Sequence, residues 1–233
     1  IVMKDLTLII PAKDEKESLP KVLDELKKFE YNICVILSPN DTETIRAIKN
    51  YNCEILYQNN KGYGDALIYG IENIKTQFFC IFNADGSFDP VEIKAMYESC
   101  KKNNLGFIFG SRYIYNASSD DDTVVTYVGN KIFKLLWKIF FSLPISDILY
   151  TFVLGETEKT KKLNLKQKDF SFCVELPIKA QRAGHILLST VAHERSRIAG
   201  KKKVNAFKDG LLILTHMIKL FFTKSKNSIF KFK

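Results

Sequence analysis

The chain has 233 residues, 46% of them apolar, which is enough for one sizeable core or two small ones. Cys34, Cys53, Cys80, Cys100 and Cys173 are scattered with no CxxC pair, which argues against a disulfide or zinc framework and for thiols kept reduced in the cytoplasm. No uninterrupted apolar run reaches the ~18 residues of a membrane span. No charged, apolar and small-residue succession marks a secretory leader, so neither feature is expected. The net charge of +9 is uneven: residues 195–233 carry eleven Lys or Arg against the single acid Asp209, whereas residues 1–194 hold 24 basic and 25 acidic side chains. A basic C-terminal segment can meet substrate phosphates, an anionic membrane surface or nucleic acid, or can simply be solvated. With no base-reading motif beside it, nucleic acid is not an expected partner.

Residues 6–10 (LTLII) form a short β-branched run ended by Pro11 and are expected to be a buried strand. A helix follows with Leu19, Val22, Leu23 and Leu26 at helical spacing. Strands are expected at residues 33–37, 54–58, 78–82 and 106–110, alternating with helices at 44–50 and 90–102 and one that the loop NNKGYGDA opens and that runs to about residue 74. This alternation predicts an α/β fold with a mostly parallel sheet covered by helices. In such sheets ligands bind beyond the carboxyl ends of the strands, so the loops after the first, second, fourth and fifth strands are expected to share one rim. The second half reads as a polar loop at 116–123, an apolar helix at 124–141 with Lys131, Lys134 and Lys138 in one stripe, and a short strand at 151–154. A basic link at 159–168, a helix at 171–183, a strand at 186–191, a cationic loop and a final amphipathic helix at 206–222 complete it. Either amphipathic helix could lie in a membrane interface or pack into a core or a dimer.

Residues 79–90 read FCIFNADGSFDP, an apolar run that ends in a polar turn. Asn83, Asp85 and Ser87 alternate, so in extended backbone an amide, a carboxylate and a hydroxyl project to one side. That is an oxygen set suited to Mg²⁺ or Mn²⁺. NNKGYGDA places Lys61 and two glycines before a helix, where backbone amides could approach a phosphate; an ordinary glycine turn explains it as well. It is not a Walker loop, and no GxGxxG follows the first strand. His185, His193 and His216 lack metal-ligand spacing, and Trp137 is expected to pack or to anchor an interface.

PAKDE, NKGYGDA, NADGSFDP, GSRY and LPISD occur in the order seen in family-2 glycosyltransferases. The chain resembles the dolichyl-phosphate mannosyltransferase type, which includes bacterial polyprenyl-phosphate sugar transferases, over about residues 5–222. The resemblance implies a GT-A fold in one domain over 1–233, with a nucleotide-sugar half (1–115) and an acceptor half (116–233). It implies a UDP- or GDP-linked sugar as donor and Mg²⁺ or Mn²⁺ as cofactor. Carried over by position, Pro11, Ala12, Asp14 and Glu15 would line the base and ribose pocket. Lys61, Gly62 and Asp65 would lie near the donor. Asp85, beside Ala84, would be the main metal ligand, with Ser87 and Asn83 assisting. Arg112, Arg195, Arg197 and the run containing Lys201 would face phosphates, and Asp147 would sit near the acceptor.

Three departures stand out. Asn83 replaces the usual first Asp, Leu37 and Ser38 replace an acidic pair at the nucleotide, and LYTFV after Asp147 lacks the usual arginine. The implied activity is inverting transfer of a sugar to a polyprenyl phosphate by a peripheral enzyme at the inner membrane face. In that case the acceptor is already an anionic nucleophile. The alternatives are a saccharide acceptor, with Asp147 as base, and a non-catalytic nucleotide-sugar-binding protein. Oligomeric state is not readable.

Overall fold

The computed structural model describes residues 3–115, 117–120, 124–200, 203 and 205–223. Seven strands form one sheet: β1 (Leu6–Pro11), β2 (Asn32–Leu37), β3 (Glu54–Tyr57), β4 (Phe78–Ile81), β5 (Phe107–Ser111), β7 (Val153–Glu156) and β8 (Leu187–Val191). Their spatial order is β3-β2-β1-β4-β7-β5-β8. β7 runs antiparallel between β4 and β5, and every other pairing is parallel. A separate parallel ribbon joins β6 (Ser118–Ser119) to β9 (His193–Glu194).

The apolar runs are continuous because both faces of the sheet are covered. In β4, Phe78 and Cys80 enter one core while Phe79 and Ile81 enter the other. The first core is closed by α1 (Leu19–Leu26), α2 (Thr42–Ile48) and α4 (Val91–Lys102), through Leu23, Ile48 and Met96 among others. The second is closed by α3 (Tyr63–Asn73) and α7 (Phe172–Arg182), with Trp137 from α5 (Val124–Phe141) and Ile213 and Met217 from α8 (Ala206–Phe222). Trp137 is thus a core residue, and α5 and α8 each bury one face.

Several expectations shift: the supposed loops at 116–123 and after residue 192 contribute β6 and β9, and the second helix lies at Thr42–Ile48. The strand expected at 151–154 lies at Val153–Glu156, and the supposed basic link begins with a short helix, α6 (Thr157–Lys161). The reason is Gly155, which reads as a strand breaker. Here it lies under the Phe79 and Phe107 rings, and a Cβ would stand 2.6 Å from Phe107. Packing thus requires glycine inside the strand.

The mouth of α3 is set by a chain crossing. Buried Glu175 accepts hydrogen bonds from the amides of Lys166 (2.8 Å) and Gln167 (2.8 Å) and pairs with Lys179 (2.7 Å). The strand of chain so pinned runs against the α3 N-terminus, where Asp65 N donates to Lys168 O at 3.0 Å. A Cβ on Gly62 would lie 2.0 Å from Lys168 O, and one on Gly64 would lie 2.2 Å from Gln167 O. Glu175→Ala removes a buried charge with three partners and is expected to lower stability by ~3 kcal/mol. Gly64→Ala is expected to cost ~1–3 kcal/mol through backbone overlap. Urea unfolding measures both; an unchanged midpoint for either would contradict the crossing.

Candidate active site

The parallel strands β1, β2, β4 and β5 deliver their following loops to one rim, and the NADGSF turn sits at its middle because β4 is central. Asp85 is buried and folds back on its own turn, where Oδ1 accepts from Ser87 N at 3.0 Å. Asn83 Nδ2 donates to Ser87 Oγ at 3.2 Å. The Asn83 and Ser87 side chains thus meet, while Asp85 bonds the backbone of the same turn. Ala84 is buried beneath them. Gly86 has φ +83, where glycine is unstrained, and the Ile198 side chain leaves no room for a Cβ.

The loops after β1 and β2 are tied together. Ala12 N donates to Ile36 O (2.9 Å), and Pro11 is half-buried at the strand end. Asp14, with φ 52, donates its amide to Asp41 Oδ2 at 2.7 Å, and Asp41 also caps α2 through Thr44 N. Glu15 is buried; its amide donates to Thr44 Oγ1 (3.0 Å), and its carboxylate takes the Ser18 hydroxyl and the Lys203 ammonium. Ser38 Oγ accepts from Asn40 N (3.3 Å) on the same rim.

A cationic segment after β9 crosses all of this. Arg195 N donates to Ser87 O (2.8 Å), and its guanidinium binds Glu25 at 2.8 and 3.0 Å and the carbonyls of Gly86 and Phe88. Arg195 therefore clamps the turn to α1 instead of facing a phosphate. Ile198 N donates to Asp85 O (2.8 Å), and Arg197 pairs with Asp85 Oδ2 at 3.0 Å. Lys203 closes the segment onto Glu15 and the Lys13 carbonyl. Lys201 lies outside the described residues.

Lys61 is exposed at the mouth of α3. Asp65 is buried beside it, 3.4 Å from Lys168 Nζ. The glycines of KGYG are accounted for by the chain crossing, so they are not by themselves evidence of a phosphate cradle. Tyr63 hydrogen-bonds Thr151 at 2.7 Å on the same side, and burial, with the Asp85 charge adding, pushes its phenol above its ordinary pKa.

Arg112 and Asp147 meet each other. Arg112 Nε and NH2 donate to the two Asp147 oxygens at 2.8 and 3.1 Å, Arg112 N adds a third bond at 3.2 Å, and NH1 donates to Glu194 Oε2 at 2.9 Å. The guanidinium lies 4.7 Å above the Tyr150 ring. Burial opposes the charge, but Asp147 and Glu194 outweigh it and raise the arginine pKa. Both Asp147 oxygens are thus engaged, which suits positioning better than proton abstraction. Beyond this pair a cavity of about 500 Å³ opens, lined by Arg112, Tyr113, Ser118, Ser119, Lys131 and Lys134 among others.

Sequence reasoning missed Glu25, Asp41, Glu175 and Glu194. Asp41 had a readable cue, an Asp before a helical run; the others act across 82 or more residues or on backbone amides, which no local pattern shows. Among the described residues no group of three or more His, Cys, Asp or Glu side chains could hold a metal unaided. The Asp85 carboxylate and the Ser87 hydroxyl are oxygen donors of the kind a hard cation takes, while Asn83 turns its amide nitrogen to Ser87 and Asp85 Oδ2 is held by Arg197.

The buried Arg112–Asp147 pair yields a test by double-mutant cycle. Asp147→Ala is expected to destabilise by ~3 kcal/mol because it takes the partner of Nε and NH2 from a buried guanidinium that keeps Glu194 alone of the two carboxylates. Combined with Arg112→Ala, the losses should fall short of additivity by ~1–3 kcal/mol. Additive losses in urea unfolding would contradict the pairing.

A family model described as glycosyl transferase family 2 matches residues 7–162. An uncharacterized glycosyltransferase of Mycobacterium tuberculosis is 23% identical over 208 residues, covering 89% of this chain and 93% of that protein. A dolichyl-phosphate beta-glucosyltransferase of Dictyostelium discoideum is 25% identical over 226 residues, covering 84% and 68% respectively. Among solved structures, glucosyl-3-phosphoglycerate synthase from Mycobacterium tuberculosis, in complex with Mn²⁺, UDP and glucosyl-3-phosphoglycerate, superimposes with a TM-score of 0.76. That pair is 9% identical and covers 96% of this chain and 82% of the other, a likeness of fold. With its GT-A arrangement and a family match over most of its length, the chain belongs to glycosyl transferase family 2.

Proposed function

We propose that this protein transfers a sugar from a nucleoside-diphosphate sugar to a polyprenyl phosphate at an anionic membrane surface. The observation that carries the reading is the adjacency of two sites. The Asp85 turn, paired with Arg197 and with Lys203 held on Glu15, suits a diphosphate donor, and the 500 Å³ cavity with Lys131 and Lys134 is lined by Arg112, whose partner Glu194 adjoins the Arg195 that holds the turn. The dolichyl-phosphate glucosyltransferase relative supports a lipid-phosphate acceptor, and the UDP carried by the structural neighbour makes a UDP-sugar the first donor to try.

In this mechanism an acceptor phosphate oxygen attacks C1 of the sugar. A C1–O bond forms as the C1–O bond to the diphosphate breaks, and the electron pair leaves with the nucleoside diphosphate, inverting C1. The attacking oxygen is already anionic, so no general base is needed, in keeping with an Asp147 held by Arg112. Asp85, assisted by Asn83 and Ser87, would hold a divalent cation that offsets charge on the leaving diphosphate. Arg197 and Lys203 stand where they can exchange a carboxylate for diphosphate oxygens, and arginine can do so with two parallel bonds. Glu15 and Asp14 border the place for the ribose and base.

The membrane part rests on α5 and α8. They lie side by side, with the Phe140 and Phe221 rings 5.1 Å apart. Ile132, Leu135 and Ile139 of α5 and Phe207, Leu211 and Ile218 of α8 are exposed, beside Lys131, Lys134 and Lys138. Among the described residues no helix is long and apolar enough to cross a membrane. An apolar face rimmed by lysines fits the interface of an anionic bilayer, with the prenyl chain leading from the cavity along the helices.

The test supplies UDP-glucose or GDP-mannose, Mn²⁺ or Mg²⁺, and polyprenyl phosphate in anionic liposomes. Sugar is expected in the lipid phase, and Asp85→Ala should lower kcat by ~100-fold or more. Lys131→Gln with Lys134→Gln should raise KM for the lipid phosphate ~10-fold, about 1.4 kcal/mol, with donor binding retained. Transfer to a free saccharide or to phosphoglycerate, but not to the lipid phosphate, would overturn the acceptor assignment.

A further inference from the structure

Two buried oxygens near the site have no hydrogen-bond partner among the described residues: Glu92 Oε2 and the Tyr150 hydroxyl. Buried polar atoms are almost always paired, so each calls for an explanation. Glu92 stands in the first turn of α4, five residues beyond Ser87. Its other oxygen, Oε1, accepts from His193 N at 2.9 Å. That bond fixes the start of a three-residue stretch with a large structural role. Glu194 receives Arg112 on the acceptor side, and Arg195 holds the donor turn through Ser87 O, Gly86 O and Phe88 O. Tyr150 lies between the two sides, its ring 4.7 Å from the Arg112 guanidinium and 4.9 Å from Phe88.

We propose that Glu92 is a positioning residue for transfer: its bond to the His193 amide holds residues 193–195 in the setting that presents Glu194 to Arg112 and Arg195 to the Asp85 turn. The inference rests on the transferase reading for its kinetic consequence only. A neutral carboxyl keeps a carbonyl oxygen for the His193 amide. An ionised one leaves a buried anionic oxygen unpaired, which is relieved when the stretch opens toward water.

The charges around it set where this happens. Burial, the largest influence, raises the Glu92 carboxyl to about 7, and Asp89 on the preceding turn adds to the rise. The His193 amide, the His193 side chain and Arg195 work in the opposite direction. Tyr150 feels the charges of Glu194, Arg112, Glu92 and Asp147, and Glu25 of α1 holds Arg195. An acid whose folded-state pKa lies above its unfolded value loses stability as pH rises from the ordinary carboxylate range through the folded value. The joint is therefore most secure in the ordinary carboxylate range, weakens as pH rises toward about 7, and levels off above that.

The experiment measures hydrogen exchange of the 193–195 amides and kcat, each from pH 6 to 8, for the wild type, Glu92→Gln and Glu92→Ala. In the wild type, exchange protection and kcat should both fall by up to ~10-fold, as a single ionisation allows. Glu92→Gln, a permanent neutral mimic, should keep both flat. Glu92→Ala, without an acceptor for His193 N, should show low protection at every pH. A pH response that persists in Glu92→Gln would belong to another group, such as His193 with its Asp120 contact, and would overturn the proposal, as would pH-independent protection in the wild type. Exchange needs no turnover. The predicted exchange pattern without any transfer would therefore sink the transferase reading and leave the joint standing.

Discussion

The pairing of Arg197 with Asp85, inside a segment that also places Arg195 on the turn and Lys203 on Glu15, organises the rim at the carboxyl ends of the parallel strands. Asp85 projects from the end of a central strand buried on both faces, where an unpaired carboxylate would be costly. Its charge is balanced by a cation from more than a hundred residues further along the chain. The loop after β9 is therefore drawn over the rim, where it joins the Asp85 turn, Glu15 and the Arg112–Asp147 pair.

That surface explains the division of labour among the charged side chains. Arg195 and Arg112 are structural cations, one holding Glu25 and two carbonyls, the other holding Asp147 and Glu194. Arg197 and Lys203 have acidic partners that a diphosphate and its cation could replace. Arginine suits the first role because its planar fork makes several bonds at once. Glu194 and Arg195 are adjacent, so the bond to Arg112 and the bonds to the Asp85 turn start from neighbouring residues. The antiparallel strand β7 adds rigidity beneath them, since it brings Phe152 and Val153 from the second half of the chain between β4 and β5.

Much of this was legible in the sequence. The period of the apolar residues and the short links between runs gave the parallel α/β order, because burial on both faces leaves continuous apolar strands. The alternation of Asn83, Asp85 and Ser87 located the turn, since spacing by two is a local geometric fact. What was hidden depended on distant partners. Arg112 and Asp147 each looked available to substrate, yet they face one another across 35 residues. Arg195 and Arg197 differ by two positions and have different roles, which only the placement of Glu25 reveals. The glycines of KGYG invited a phosphate reading, whereas the segment pinned by Glu175 already requires them. Gly155 displaced the expected bounds of β7 because the Phe79 and Phe107 rings above it are remote in sequence.

The central claim is that Asp85 and Arg197 form an exchangeable pair at a nucleotide-sugar site. A crystal structure of the protein with a UDP-sugar and Mn²⁺ tests it most directly. The account predicts the cation within ~2.0–2.3 Å of an Asp85 oxygen, the diphosphate completing its coordination, and Arg197 moved from Asp85 to diphosphate oxygens. A nucleotide bound elsewhere, with Arg197 still on Asp85, would contradict it.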